Sequence, residues 1–171
     1  MNARTTLAAA ALLSIIAVSA AGHSARDGAL SVRANDIVGL WSTQGLVGAC
    51  DATPPFIPVG NTLLFQAGGT VVENPLFPPG GVPNVFGVPG TNQRGPGLGT
   101  WSYFPASRAY LVHLRFEWFV DGAYHGYQTV DRVLQLDDDG EQGTGPVQTT
   151  RYAADGSVIV KFCGEATSAR L

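Results

Sequence analysis

The chain has 171 residues and a formal net charge of −3, with 45% hydrophobic but only 13% charged residues. The acidic balance argues against a nucleic acid or an anionic membrane surface as a partner. The length fits one domain with one core, and the 22 glycines and 11 prolines favour short strands and turns over helices.

The first residues have the pattern of a secretory signal peptide. Arg4 precedes an apolar run from Leu7 to Val18, and Val18-Ser19-Ala20 supplies small residues for cleavage. The run is shorter than the roughly 20 residues of a membrane-spanning helix, and no later stretch approaches that length. We therefore predict a signal peptide at 1–20, a mobile segment at 21–36, one domain at 37–171, no membrane span, and export to the periplasm or the medium.

Cys50 and Cys163 are the two cysteines of the chain, and both lie in the part predicted to be exported. An oxidising compartment lets such a pair persist as a disulfide. There is no C-x-x-C motif and no nearby histidine to support a redox or metal role. We therefore predict a disulfide between Cys50 and Cys163 that ties the segment after the first strand to the last strand.

Eight segments have the composition of β-strands. The turn sequences Asp121-Gly122, Asp137-Asp138-Asp139-Gly140 and Asp155-Gly156 favour positive φ and mark three successive hairpins. The predicted strands are 37–43, 62–66, 70–73, 99–104, 109–120, 123–136, 142–153 and 157–170. They predict an all-β fold, an eight-stranded antiparallel up-and-down β-barrel, with a two-sheet β-sandwich as the alternative.

Residues 74–97 interrupt this pattern with six prolines and many glycines. Such a segment neither pairs as a central strand nor forms a helix. Loops of this length are typical of lids, binding loops and mobile inserts. The alternative is an ordered, inert cover over one end of the barrel or an edge of the sheet.

Strand 109–120 alternates most regularly, and its Tyr110, Val112, Leu114, Phe116, Trp118 and Val120 are predicted to point inward. If Asp121-Gly122 is a two-residue turn and pairing continues without interruption, Phe116 faces Tyr127 and Leu114 faces Thr129. A β-bulge in either following hairpin would instead turn these partners outward. The ligand-binding residues predicted from the uninterrupted register are Tyr110, Leu114, Phe116, Trp118, Tyr127, Thr129, Asp131 and Lys161, with Asp131 and Lys161 close enough for an ion pair.

Sequence motifs for catalysis or cofactors are missing. We find no G-x-S-x-G, H-E-x-x-H, P-loop or dinucleotide fingerprint, and the predicted register places His113 and His125 on opposite faces. The aspartate run at 137–140 lacks the spacing of a calcium loop. We therefore predict no cofactor, no metal site and no assigned catalytic residue; an enzyme would depend on Asp131, with Lys161 or Tyr127 as its partner.

Two resemblances concern the fold and the compartment. Gly39-Leu40-Trp41 and Arg170 resemble the calycins, the lipocalin-like barrels in which a first-strand Gly-x-Trp packs near a late arginine and closes one barrel end. The chain is also similar to small exported bacterial proteins of unassigned activity. It shares with them Trp41, Cys50, Arg94-Gly95-Pro96-Gly97-Leu98-Gly99-Thr100-Trp101, Cys163-Gly164 and Ala169-Arg170.

Three functions fit these observations. The first is a secreted, lipocalin-like binding protein for a small hydrophobic or amphipathic ligand held in the barrel. The second is a barrel cyclase or isomerase of the allene-oxide-cyclase or dirigent type, for which Asp131→Asn would abolish turnover and spare affinity. The third is a structural or interaction protein with a filled core that binds a partner through loop 74–97. The sequence leaves the ligand and the oligomeric state open.

Overall fold

The computed structural model describes residues 33–51 and 56–171, which form an all-β fold. The signal peptide predicted at 1–20 and most of the segment predicted to be mobile lie outside the described residues. The ten strands are β1 (Gly39–Ala49), β2 (Ile57–Gln66), β3 (Thr70–Pro75), β4 (Val82–Pro83), β5 (Thr91–Arg94), β6 (Gly97–Phe104), β7 (Ala109–Val120), β8 (Ala123–Leu136), β9 (Gln142–Ala153) and β10 (Val158–Arg170).

Eight of these strands close into a ring. Their order is β7-β6-β3-β2-β1-β10-β9-β8, and β8 pairs back to β7. Every pairing is antiparallel. This arrangement confirms the predicted eight-stranded antiparallel barrel and not the sandwich. Because β7 and β8, the two ends of this order, pair with each other, the ring has no unpaired edge.

Two short strands lie outside the ring, in the segment predicted to contain none. In β5, Asn92 pairs with Val120 and Arg94 pairs with Trp118, so this strand extends the sheet beside the end of β7. Strand β4 pairs in turn with β5. The four residues of β5 include no proline, which leaves them able to pair at an edge. The long proline-rich segment is therefore attached to the barrel.

One end of the barrel is filled by apolar side chains. The buried cluster consists of Ile37, Trp41, Leu63, Phe65, Val71, Trp101, Tyr110, Val112, Leu114 and Leu134. The indole nitrogen of Trp41 donates to the Ile37 carbonyl at 2.8 Å. The guanidinium of Arg170 lies 4.5 Å from the centre of the Trp41 ring and donates to the Val38 carbonyl at 3.0 Å. This is the contact between a first-strand tryptophan and a late arginine that the calycin resemblance implies.

The predicted disulfide between Cys50 and Cys163 is present. Their Cα atoms lie 4.6 Å apart, and the bond joins positions separated by 113 residues. Gly48 of β1 pairs directly with Cys163 of β10, so the bond lies beside the pairing of the first and last ring strands in chain order. The disulfide therefore links the residue directly after β1 to β10 covalently, as predicted.

The hairpin between β7 and β8 contains the bulge that decides which side chains enter the barrel. Asp121 and Gly122 both have positive φ, as a two-residue turn requires, and Phe119 pairs with Tyr124 as predicted. The next pair, however, is Trp118 with Gly126, so His125 is an extra residue in β8. Beyond this point every side chain of β8 faces opposite to the prediction.

The inward residues of β8 are therefore Gln128, Val130, Arg132 and Leu134, which pair with the inward residues of β7. The pairing of β8 with β9 is as predicted, and so is that of β9 with β10 beyond the turn, since Thr129 pairs with Thr150 and Thr150 with Lys161. Next to the turn a register shift pairs Tyr152 with Val158 and not with Ile159, as the uninterrupted register would. The bulge between β7 and β8 consequently places the row of Thr129, Thr150 and Lys161 on the outside of the barrel. The inward orientation predicted for Tyr127, Thr129, Asp131 and Lys161 was wrong.

Candidate functional site: a cavity inside the barrel

A cavity of about 440 Å³ occupies the end of the barrel opposite the apolar cluster. Large side chains line it on β7, whereas the facing strands contribute small ones. The small lining residues include Gly45 of β1, Val147 and Thr149 of β9, and Ala166 of β10. The space exists because these strands do not fill the volume that their inward positions enclose. Its size lies within the range of small-molecule sites in proteins.

The apolar wall comes from β7, as the alternation predicted. Leu114, Phe116 and Trp118 all point inward, are almost fully buried and line the cavity. Tyr110 also points inward but belongs to the apolar cluster at the closed end, where its hydroxyl donates to the Arg33 carbonyl. Burial, assisted by the negative charge of Asp36, raises the pKa of Tyr110 to about 12.

Residues 75–86, hereafter the covering segment, lie over the open end of the barrel and line part of the cavity. Phe77 packs edge-on against Trp118 with ring centres 5.7 Å apart. Phe86 packs against Phe162 of β10 with ring centres 4.3 Å apart. Loop 74–97 was predicted to be a lid, a binding loop or a mobile insert, with an inert cover as the alternative. In the structure, part of this loop contributes side chains to the cavity wall.

A buried ion pair lies on one side of the cavity. Glu73 of β3 is 2% exposed, forms an ion pair with Arg94 of β5, and accepts a hydrogen bond from the Asn61 amide at 2.7 Å. The Arg94 guanidinium also lies 3.3 Å from the centre of the Phe116 ring. Burial lowers the pKa of Arg94, while the charge of Glu73 opposes that effect. A side chain at Gly97 would collide with Glu73, so this glycine makes room for the pair.

Arg132 of β8 forms a second polar group in the cavity. Its Nη1 donates to the Ser168 hydroxyl and its Nη2 to the Ala166 carbonyl, both at 2.9 Å. The Ser168 hydroxyl in turn lies 2.6 Å from that of Thr43. Burial lowers the pKa of Arg132 to about 10, which still leaves the side chain protonated at neutral pH. None of its described partners is a carboxylate.

A hydrogen-bond chain holds Trp118 in the wall. Its indole nitrogen donates to the Gln128 side chain at 2.7 Å, and Gln128 donates to the Thr149 hydroxyl at 2.5 Å. Behind the indole, fully buried Arg151 lies 4.2 Å from the ring centre and donates to Asn92 at 3.0 Å. Burial lowers the pKa of Arg151 to about 10. These contacts fix the orientation of the largest wall residue.

The eight residues predicted to bind a ligand thus divide by location. Leu114, Phe116 and Trp118 line the cavity, and their contact with a ligand stays a prediction. Tyr110 lies at the closed end. The other four lie on the outer face and are absent from the cavity wall: Tyr127, Thr129, Asp131 and Lys161.

On that outer face, Tyr127 stacks on Tyr152 with ring centres 4.7 Å apart. The Asp131 side chain is 64% exposed, and its carboxylate lies 2.7 Å from the His113 ring nitrogen. Asp131 therefore cannot serve as the acid or base of a reaction inside the barrel. The polar end of the site was predicted on these outer residues, whereas the polar groups that line the cavity, above all Arg132 and Glu73, were not predicted.

Comparison with known proteins adds no assignment to this geometry. Within the described part of the chain, the structure contains no helix with the length and apolar character needed to cross a membrane. No model of a known protein family matches the chain, and no curated protein matches its sequence at a significant level.

Proposed function

We propose that this protein is an exported, lipocalin-like binding protein that holds a small amphipathic ligand inside its barrel. The observation that carries the proposal is the cavity of about 440 Å³, bounded by the aromatic wall of β7 and a few buried polar groups. Mostly apolar walls with a small number of placed polar groups are typical of small-molecule sites. A filled core, the alternative for a structural protein, describes the closed end of the barrel but not this one.

Export is the second element of the proposal. The signal-peptide pattern at 1–20 and the disulfide between Cys50 and Cys163 support it together. Disulfides persist in the periplasm and outside the cell and are rare in reducing compartments.

Filling the cavity should abolish binding. Ala166 of β10 lines the cavity, so Ala166→Phe places an aromatic ring in the space that the ligand requires. We expect the affinity for N-phenyl-1-naphthylamine, an uncharged apolar fluorophore, to fall by about tenfold or more, because the two rings compete for one volume. Titration of the fluorophore with the mature, disulfide-bonded protein measures the change.

The matched control is Ala169→Phe, the same substitution three positions later on the same strand, where the side chain is exposed on the outer face. This variant should bind the fluorophore like the wild type. Circular dichroism and urea unfolding would establish that both variants are folded. Equal binding by the two variants, or saturable binding by neither variant nor the wild type, would contradict a ligand site in the cavity.

A further inference from the structure

The charges buried in the barrel do not balance. Among the described residues, the interior contains the guanidinium groups of Arg94, Arg132 and Arg151 but only the carboxylate of Glu73. Glu73 is paired with Arg94, so two buried cations are left without a carboxylate. Burial of an uncompensated charge is unfavourable, and proteins usually provide such a group with an opposite charge or a full set of hydrogen bonds.

The two remaining arginines differ in what surrounds them. Arg151 lies behind Trp118, packs on the indole ring and does not line the cavity. Arg132 does line the cavity and is 6% exposed. Two of its N–H groups have described partners, whereas its Nε has none. A guanidinium has five N–H donors, so the two described hydrogen bonds do not use all the donors of Arg132, whose side chain lines the cavity.

The neighbours of Arg132 show how deep its guanidinium lies in the cavity. Its cross-strand partner Val112 and the next inward residue of β8, Leu134, both belong to the apolar cluster that fills the closed end. The guanidinium therefore lies at the inner end of the cavity. Between it and the covering segment lies the aromatic wall that includes Phe116 and Trp118.

We propose that Arg132 binds the carboxylate of an amphipathic ligand whose apolar part lies along the aromatic wall toward the covering segment. A carboxylate offers two coplanar acceptor oxygens that match adjacent N–H donors of a guanidinium. It also supplies the negative charge that the interior lacks. This inference rests on the proposed function, because it specifies the class of ligand that the cavity takes.

Two lipids with the same chain and different head groups test the inference. Dodecanoate and dodecanol are each used to displace N-phenyl-1-naphthylamine from the mature protein at neutral pH, with direct calorimetric titration as a second measurement. We expect dodecanoate to bind about tenfold or more tightly than dodecanol, as hydrogen bonds between charged groups would give. Arg132→Met should reduce this ratio to about one, since the charge is lost and the apolar wall is retained.

Lys161→Met is the matched control, because it removes a cation from the outer face of β10. It should leave the ratio unchanged, while Arg132→Lys should retain part of the preference through its charge. Equal affinity of the wild type for the two lipids would overturn the carboxylate assignment and leave the proposed function standing. Fluorophore binding without displacement by either lipid would do the same. No binding of fluorophore or lipid would overturn both inferences.

Discussion

Replacing Glu73 with glutamine is expected to destabilise the protein by about 3–5 kcal/mol, because it leaves the guanidinium of Arg94 buried without an opposite charge. The carboxylate is 2% exposed and the Arg94 side chain 12%, so water cannot easily take the place of the lost partner. Glutamine has nearly the same shape and can still accept the hydrogen bond from Asn61. Urea unfolding of the disulfide-bonded protein, followed by tryptophan fluorescence, measures the loss.

An exposed pair on the same barrel provides the control. Arg115 and Glu117 form an ion pair with side chains 51% and 41% exposed, for which Glu117→Gln should cost less than about 1 kcal/mol. The double variant Glu73→Gln with Arg94→Met should recover much of the stability, because it removes the unpaired cation as well. Equal, small losses for Glu73→Gln and Glu117→Gln would mean that Arg94 is solvated and that the buried pair does not form.

The ion pair between Glu73 and Arg94 also shows how much of the candidate site could be predicted from the sequence. Val71 and Glu73 share one face of a predicted strand, and in the structure both are buried. The partner was out of reach, because Arg94 lies in a proline-rich segment with no periodicity from which to infer a strand. Only the pairing of β5 with the end of β7 brings its side chain over Phe116 and against Glu73.

The ring itself was predictable because its signals are local. The alternation of β7 fixed which of its side chains are buried, and Asp121-Gly122 supplied a turn whose φ angles are both positive. The two cysteines in a chain with a signal-peptide pattern were enough to predict their bond. Each of these inferences uses residues close in sequence or a pair with no competing partner.

The orientation of β8 was not fixed by the same reasoning, because both faces of this strand carry mixed side chains. The inward face contains Gln128, Val130, Arg132 and Leu134; the outward face contains Tyr127, Thr129, Asp131 and Val133. A strand with no clear apolar face has a weakly specified register. One signal was present in the sequence, because Gly126 lies inside a predicted strand. In the structure its φ is +139°, and a Cβ there would lie 2.1 Å from the Tyr152 carbonyl oxygen. Glycine inside a strand commonly marks a bulge.

That bulge has consequences for the chemistry of the cavity. Without it, β8 would present Tyr127, Thr129 and Asp131 to the interior and would turn Arg132 outward. With it, the strand contributes a cation where the uninterrupted register placed an anion. The inserted residue His125 thus replaces the Asp131–Lys161 pair that was predicted for the interior with the guanidinium of Arg132.

Removing the disulfide is the change with the second large expected effect. Cys50→Ala with Cys163→Ala should lower the free energy of unfolding by about 4–5 kcal/mol, since the bond closes a loop of roughly 100 residues in the unfolded chain. The positions it joins are separated by 113 residues. Urea unfolding measures the loss, and the dependence on urea should steepen because an uncrosslinked unfolded chain exposes more surface. Reduction of the wild-type protein should give the same midpoint as the double variant.

The disulfide is distinct from the cavity, which provides the control for this prediction. Neither cysteine lines the cavity, so the folded double variant should bind N-phenyl-1-naphthylamine with the wild-type affinity in the absence of urea. A loss of binding without unfolding would show that the bond positions the cavity wall as well as stabilising the ring. A loss of stability below about 1 kcal/mol would contradict the chain-entropy argument, because the pairing of β1 with β10 would then close the ring without help from the bond.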